Sequence, residues 1–281
     1  ARVRFDADGG VSLIMGTFSH GQGHETAFSQ IVHERLGIPF ERIRFIQGDS
    51  DIVDYGNGTG GSRSSQMGGV ALARASEQII ARAKIVAAER LEAGVGDVEF
   101  DPRLVPGGGF RVAGTDLQIS LSEVAELAAG SPDGDLDETC LYERPTECNF
   151  PNGCHVCEVE IDPDTGVMAV VSYHAVDDCG RLLNPLLVEG QVHGGVAMGL
   201  GQALTEYTAY DRESGQLVSG TYMDYGIPRA DDMPWMDVAF HEVWNPSNDL
   251  GVKGAGEGGA CGAPPAIVGA ISDALRDYGV R

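Results

Sequence analysis

One glutamate near the end of the chain has the surroundings expected of a general base. Glu257 has Gly254, Gly256, Gly258 and Gly259 among its near neighbours. A carboxylate on such a bare backbone can be pressed against a buried ligand, where loss of solvent raises its pKa towards that of a useful proton acceptor. An exposed acidic turn explains the same pattern equally well, because the chain carries a formal net charge of -23.

Three glycine-rich loops, at residues 20–25, 56–62 and 253–259, each precede a predicted helix. The free N–H groups at a helix N-terminus suit a phosphate or pyrophosphate. Taken singly, each loop is explained more simply as a plain turn. None matches the dinucleotide fingerprint or the phosphate-loop pattern, so a nucleotide hydrolase is not expected.

The first of these loops presents Gln22 between Gly21 and Gly23. A neutral amide on bare backbone suits hydrogen bonding to an oxo ligand or to the edge of a pterin. His20 and His24 flank it, and for both a ligand contact and helix capping or local packing remain open.

A predicted helix over residues 186–205 contains paired glycines that cost about 1 kcal/mol each relative to alanine. That cost indicates close packing against backbone or a cofactor. Gln191 and Gln202 could both point inward from this helix, although an ordinary polar helix position also explains Gln202.

The cysteines offer a different hypothesis, a free-standing metal or redox module, because Cys154 and Cys157 form a Cys-x-x-Cys pair. The pair lies in a predicted strand, which places the two thiols on opposite faces. We therefore expect reduced, structural cysteines.

The periodicity of the chain predicts an α+β fold of two interlocked α/β subdomains, residues 1–150 and 151–281. The first contains a hairpin (2–18), a helix (25–36), a strand (42–47), a long helix (63–93) and a small insert (94–135) with a helix near 122–129. The second contains strands (155–162 and 167–177), the helix at 186–205, a strand-rich stretch to 245 and a last helix (264–277).

Composition excludes several classes of partner. The acidic surface repels nucleic acid and anionic lipid. No apolar run approaches the ~20 residues that span a bilayer, and no signal peptide is visible, so we expect a cytoplasmic protein, with a periplasmic one as the alternative. The chain opens directly on a predicted strand without an initiator Met, and residue 1 is not expected to be a natural domain start.

Six motifs, taken together and in order, resemble the molybdopterin-binding subunit of the xanthine dehydrogenase/aldehyde oxidase/carbon monoxide dehydrogenase family. They occupy residues 20–26, 58–64, 177–185, 189–195, 223–228 and 251–259, nearly the whole chain. The resemblance favours the catalytic interpretation of Glu257 and implies a fold of the molybdenum-cofactor-binding domain type.

The resemblance also implies roles for individual residues. Glu257 matches the catalytic base, and the molybdenum is held through its pterin rather than by protein ligands. The matched cofactor-binding residues are Gly21, Gln22, Gly23, His24, Ser62, Arg63, Ser64, Gln191, Lys253, Gly254 and Gly256. Among these, the loop at residues 62–64 is also expected near the substrate pocket.

The implied activity is hydroxylation of an aldehyde or N-heterocycle, or oxidation of carbon monoxide, with oxygen derived from water. The implied cofactor is molybdenum-molybdopterin in its cytosine dinucleotide form. Iron–sulfur clusters and FAD are expected on other chains, because this one lacks the cluster cysteine spacing and a flavin-binding pattern.

The sequence departs from the family in length. The family subunit is far longer than 281 residues, and this chain stops, at residues 278–281, shortly before family members usually end. We expect the C-terminal half of the subunit, inactive without the N-terminal half that carries another cofactor loop and much of the substrate pocket. The alternative is a non-catalytic scaffold or excised domain that binds no cofactor alone.

Overall fold

The computed structural model describes residues 1–130, 134–143 and 148–279, and the chain divides into two compact units. The first unit is Ala1–Cys148 with Pro246–Leu250, and the second is Asn149–Asn245 with Gly251–Arg281. Each unit combines helices with a mixed sheet, so the predicted α+β class is confirmed. The assignment of each unit as a cofactor-binding subdomain stays a prediction.

A four-stranded sheet forms the centre of the first unit. Strands β1 (Arg2–Phe5) and β2 (Val11–Met15) make the predicted hairpin, and β3 (Ile43–Gln47) pairs parallel to β2. A late strand, β7 (Asp137–Thr139), completes the order β3-β2-β1-β7. All five residues of β2 are buried, because this strand is central in the sheet.

Two helices pack against each other beside this sheet. Helix α1 (His24–Leu36) buries Phe28, Ile31, Val32 and Leu36 at the spacing of one helical face. Helix α2 (Val70–Arg90) begins seven residues later than the predicted start at residue 63 because the preceding turn, Ser65–Gly69, is π-helical.

The predicted insert forms a small sheet that the sequence did not predict. Strands β4 (Val98–Asp101), β5 (Gly109–Val112) and β6 (Gln118–Ser120) pair antiparallel and lead into helix α3 (Leu121–Ala129). A capping box between Ser120 and Glu123 begins α3, close to the predicted start. Residues 131–133 of the insert lie outside the described part of the chain.

The second unit is a three-stranded sheet covered by two helices. Strands β8 (Asn152–Ile161) and β9 (Met168–Asp178) are antiparallel, and β10 (Trp235–Phe240) pairs parallel to β9. Helices α4 (Pro185–Leu204) and α5 (Gly258–Ala274) pack on each other. The core contains Tyr173, Ala175, Val192, Val196, Leu200, Ala263 and Ile267.

Two predictions for the second unit are wrong. The supposedly strand-rich stretch before residue 245 contains only β10 among named strands, because its aromatic segments fold into local turns, as at Thr221, whose carbonyl accepts from the N–H groups of Asp224 and Tyr225. Helix α5 begins at Gly258 rather than 264, with Pro264 and Pro265 inside it.

The early start of α5 follows from packing. A Cβ at Gly259 would lie 2.5 Å from the Val192 carbonyl oxygen, so only glycine lets this turn contact α4.

The sequence analysis singled out residues 278–281 at the end of the chain, and two of them, 280 and 281, lie outside the described residues. None of the helices in the described ranges has the length and hydropathy that a membrane crossing requires.

The end of α1 gives a test of the packing in the first unit. Gly37 and Gly114 have nearly equal φ angles of 76° and 75°, but a Cβ at Gly37 would lie 2.0 Å from the Pro102 carbonyl oxygen, whereas one at Gly114 meets nothing within 4 Å. We expect Gly114→Ala to lower the free energy of unfolding by about 1 kcal/mol and Gly37→Ala by about 2 kcal/mol more. Urea unfolding measures both, and equal losses would contradict this account.

Candidate functional site

The loop before α1 is held by the side chain of Gln22. Its Oε1 accepts from the backbone N–H of His20, and its Nε2 donates to the Phe18 carbonyl at 3.1 Å. Gly21 and Gly23 have positive φ angles of 110° and 77°, which let the chain turn tightly around this amide. Within the described structure, the Gln22 amide therefore hydrogen-bonds to the backbone of its own loop and holds that loop in shape.

His24 is buried at the first position of α1, directly after the N-cap residue Gly23. Its ring stacks on Phe28 with centroids 5.0 Å apart, and its Nδ1 is buried without a hydrogen-bond partner in the described structure. Burial, with a smaller effect of His20, lowers the pKa of His24. The hydroxyl of Thr17 is buried and similarly unpartnered. Such orphaned polar atoms fit a site whose ligand supplies polar groups.

The second glycine-rich loop is hydrogen-bonded to the first. The Thr59 hydroxyl donates to the Phe18 carbonyl at 2.6 Å, the same oxygen that Gln22 contacts, and is 3.0 Å from the Ser64 hydroxyl. Gly16 and Gly56 lie back to back: a Cβ on either would lie within 2.5 Å of backbone oxygen in the other segment. The structure thus brings two of the predicted cofactor loops together.

The three residues predicted in this second loop differ in exposure. Ser62 has a positive φ of 51°, Arg63 is exposed and donates to the Asn57 carbonyl at 3.3 Å, and Ser64 is buried. The π-helical turn follows at once, a feature frequent at functional sites. Sequence reasoning missed Thr17 and this turn, whose only sequence signal was the pair Gly68 and Gly69.

The third predicted loop, in the second unit, is anchored by a buried ion pair. The Lys253 ammonium donates to Asp178 Oδ2, and the two side chains are only 10% and 7% exposed. Asp178 Oδ1 also accepts from the backbone N–H groups of Gly180 (2.8 Å) and Val243 (3.2 Å). Lys253 was predicted to line the cofactor, and here its charge is paired with the protein.

These contacts decide the charge of Asp178. Desolvation favours its neutral form, but the hydrogen bond from Lys253 and those from the backbone outweigh it, so the pKa of Asp178 is lowered. The ion pair therefore stabilises the unit above the ordinary carboxyl pKa, and this contribution is lost as the pH falls through the lowered pKa of the folded state.

Backbone hydrogen bonds continue the anchoring along residues 251–253. Asn245 is buried, and its Nδ2 donates to the Val252 carbonyl at 3.0 Å. The Lys253 N–H donates to the Cys179 carbonyl at 2.8 Å. Gly180, with φ of 66°, bridges to Val252, and a Cβ there would lie 2.5 Å from the Gly251 oxygen. Sequence reasoning assigned no role to Asn245, nor to Asp178, although Asp178 lies within the motif at residues 177–185.

Glu257 follows this anchored loop and lies at the N-cap position of α5. Its carbonyl accepts from the Cys261 N–H at 2.9 Å, and its side chain is exposed within this chain. Gly254 is buried and Gly256 exposed. The Glu257 side chain is thus exposed and follows directly on an anchored loop.

Gln191 lies on α4, the helix that contacts the first turn of α5. It is half-buried and precedes Val192, whose carbonyl oxygen lies against Gly259. His193 Nε2, one residue further, is buried without a hydrogen-bond partner in the described chain. Gln191 therefore lies on the helix next to the one that follows the Glu257 loop. The predicted cofactor-binding residues before residue 65 belong to the first unit.

The six cysteines are all free thiols in the structure, and their reduced, structural role stays a prediction. Cys154 is exposed on β8, whereas Cys157 packs against the core, and burial raises the pKa of the Cys157 thiol. Burial, with the charges of Asp177 and Asp178, raises the pKa of the Cys179 thiol to about 12. Across the described ranges, no three His, Cys, Asp or Glu side chains are grouped to hold a metal ion.

Comparison with known proteins identifies the class to which this chain belongs. The family model "Molybdopterin cofactor-binding domain" matches residues 1–234. The chain belongs to this molybdopterin cofactor-binding domain family, and the resemblance seen in the motifs is confirmed.

Individual relatives agree. The carbon monoxide dehydrogenase large chain of Afipia carboxidovorans is 37% identical over 278 residues, which are 98% of this chain and 34% of the relative. The nicotine 6-hydroxylase large subunit of Paenarthrobacter nicotinovorans is 36% identical over 289 residues, 99% of this chain and 34% of the relative. The chain spans about a third of the length of these curated relatives.

Solved structures share the fold. A Cu,Mo-CO dehydrogenase in its carbon monoxide reduced state matches with a TM-score of 0.89 and 36% identity, over 98% of this chain and 34% of that one. Quinoline 2-oxidoreductase from Pseudomonas putida 86 matches with a TM-score of 0.86 and 36% identity, over 99% of this chain and 36% of that one.

The ion pair under the third loop can be tested by removing one partner. We expect Lys253→Met to lower the free energy of unfolding by about 3 kcal/mol, because it leaves Asp178 buried and unpaired. The double variant Lys253→Met/Asp178→Asn is the control and should recover most of this loss. Urea unfolding measures both, and a double variant as unstable as the single one would refute the pairing.

Proposed function

We propose that this chain is part of the large subunit of a molybdenum hydroxylase, and that Glu257 is its catalytic base. The observation that carries the proposal is the position of Glu257, exposed at the N-cap of α5 directly after a loop anchored by Lys253 and Asp178. A carboxylate that is exposed on an anchored backbone can be brought within hydrogen-bond reach of the proton that a general base removes. The chain covers about a third of its relatives, so the activity belongs to the assembled protein.

The substrate proposed for this enzyme is a small molecule with an electrophilic carbon, namely an aldehyde, an N-heterocycle or carbon monoxide. The names of two relatives, a carbon monoxide dehydrogenase and a nicotine 6-hydroxylase, support this range. When bound, the molybdenum cofactor supplies a two-electron oxidant. Glu257 accepts a proton from the water-derived nucleophile and so makes its oxygen reactive towards the carbon.

We propose cofactor contacts for residues of each unit, considered separately. In the first, Gln22 keeps the loop at residues 21–24 in shape, while the orphaned Nδ1 of His24 offers a hydrogen bond, and Ser62, Arg63 and Ser64 follow on the adjoining loop. In the second unit, Gln191 and the loop through Lys253, Gly254 and Gly256 are proposed to contact the cofactor. We propose the cytosine dinucleotide form, whose pyrophosphate suits the glycine-rich turns before helices.

Electrons must leave the site after each oxidation. We propose iron–sulfur and flavin subunits as the partners that accept them, together with the remaining part of the molybdenum-binding subunit. The relatives are described as a large chain and a large subunit, which supports a complex of several chains. A scaffold that binds no cofactor is the competing hypothesis, and it would have no use for the unpartnered polar atoms of Thr17 and His24.

The catalytic assignment is tested by Glu257→Gln in the assembled enzyme. We expect kcat to fall by about 10²-fold or more with unchanged molybdenum content, since the amide keeps the size of the side chain but cannot accept the proton. Glu160→Gln, an exposed glutamate on β8, is the matched control and should leave turnover unchanged. Steady-state kinetics with metal analysis measures both, and nearly intact turnover in Glu257→Gln would mean that another group is the base.

The proposal also predicts that the remainder of the subunit covers apolar surface of this chain. Met223, Tyr222 and Trp235 are 93%, 89% and 82% exposed. We expect the chain alone to bind a hydrophobic dye and the assembled enzyme to bind much less. Fluorescence titration of both measures this, and equal dye binding would show that these side chains stay exposed in the complex.

A further inference from the structure

Three buried polar side chains in the second unit have no part in the proposed chemistry. The Nδ1 of His155 lies 2.7 Å from the Tyr173 hydroxyl, and its Nε2 lies 3.1 Å from Asp177 Oδ1. The side chains of His155 and Asp177 are each 6% exposed, and Tyr173 is fully buried. A buried network of hydrogen-bonded side chains restricts the local geometry strongly, because each side chain loses its partner if its neighbour moves.

The hydrogen-bond donors and acceptors of these three side chains fit the following positions of the protons. A carboxylate can only accept, so in the tautomer that matches this geometry the His155 Nε2 donates to Asp177 Oδ1. The His155 Nδ1 then accepts from the Tyr173 hydroxyl. Burial, followed by the charges of Cys157 and Asp177, raises the pKa of Tyr173, so its hydroxyl keeps the proton that it donates. The ring of His155 is therefore fixed from both sides.

This network lies directly beneath the first turns of α5. A Cβ at Gly262 would lie 2.5 Å from His155 Nδ1, and one at Gly258 would lie 3.5 Å from Asp177 Oδ2. Only glycine at position 262 therefore lets the helix backbone approach the ring. Asp177 Oδ2 is buried and accepts no hydrogen bond within the described structure. Its place beside the N-terminus of α5 gives it a favourable interaction with the helix dipole.

A second face of the same turn is packed against α4. A Cβ at Gly195 would lie 2.8 Å from the Ala260 nitrogen and 2.9 Å from the Gly259 Cα. The first turn of α5 is thus in contact with α4 on one face and with the Tyr173–His155–Asp177 network on another. Glu257 immediately precedes that turn.

We propose that Tyr173, His155 and Asp177 are positioning residues that fix the first turn of α5 and through it the Glu257 carboxylate. The structural half of this inference concerns α5 alone, and its catalytic half rests on the proposed function. None of the three side chains needs to touch substrate or cofactor. Their effect is to restrict the backbone from which Glu257 acts.

The structural half is tested by hydrogen exchange in the purified holoenzyme, resolved at the amides of Cys261, Gly262 and Ala263. We expect His155→Phe to accelerate exchange there by about tenfold, the loss expected for a buried hydrogen bond. His155→Gln retains an amide that can donate to Asp177 and should restore most of the protection. Tyr173→Phe, which removes only the hydroxyl, is the second variant should His155→Phe fail to fold.

A core variant separates positioning from general loosening. Ile267→Val lies on the same helix, outside the network, and should change exchange evenly along α5 rather than at its first turn. If His155→Phe also accelerates exchange evenly, or leaves the three amides unchanged, the positioning inference is overturned.

The catalytic half is tested by kinetics of the same variants. We expect His155→Phe to lower kcat by about tenfold with KM and molybdenum content unchanged, and His155→Gln to recover most of the rate. A rate loss that follows molybdenum content, or one that His155→Gln does not relieve, would overturn this half. The exchange readout needs no turnover, so failure of the Glu257 assignment would be seen separately.

Discussion

The ion pair between Lys253 and Asp178 determines the path of the loop that ends at Glu257. Both side chains are nearly removed from solvent, so neither charge can be given up without a large cost in stability. Asp178 ends β9 and Lys253 begins the glycine-rich loop, so the pair joins the sheet to the segment that carries the proposed base. Helix α5 follows this loop directly, at Gly258, where its first turn packs against α4.

Glycine is the second constraint, and in both units it permits contacts between backbones rather than flexibility. Gly16 and Gly56 let two loops of the first unit lie against each other, and Gly195 and Gly259 do the same for two helices of the second. A ligand that binds to such glycine-rich loops contacts mainly backbone N–H and C=O groups, because few side chains cover them. This property suits a large, polar cofactor and explains why the glycines are grouped next to the polar candidates.

The sequence predicted the fold class, the main helices and the strands of the hairpin, because these depend on local periodicity and caps such as Gly37. The family resemblance rested on six motifs and was confirmed. Contacts between distant residues could not be predicted: Lys253 and Asp178 are 75 residues apart, and His155 and Tyr173 are 18 apart. The start of α5 was wrong for the same reason, since packing against α4 outweighs the local signal of Pro264. The roles of the individual site residues stay predictions.

We propose that these loops form part of a molybdenum-cofactor site that the rest of the subunit completes. The most direct test is the molybdenum and cytidine-nucleotide content of this chain, purified alone and after co-expression with the remaining part. We expect both to appear in a one-to-one ratio on co-expression and to be absent from the chain alone. Absence of both from the co-expressed protein would contradict it and would identify the chain as a scaffold that keeps the motifs without the cofactor.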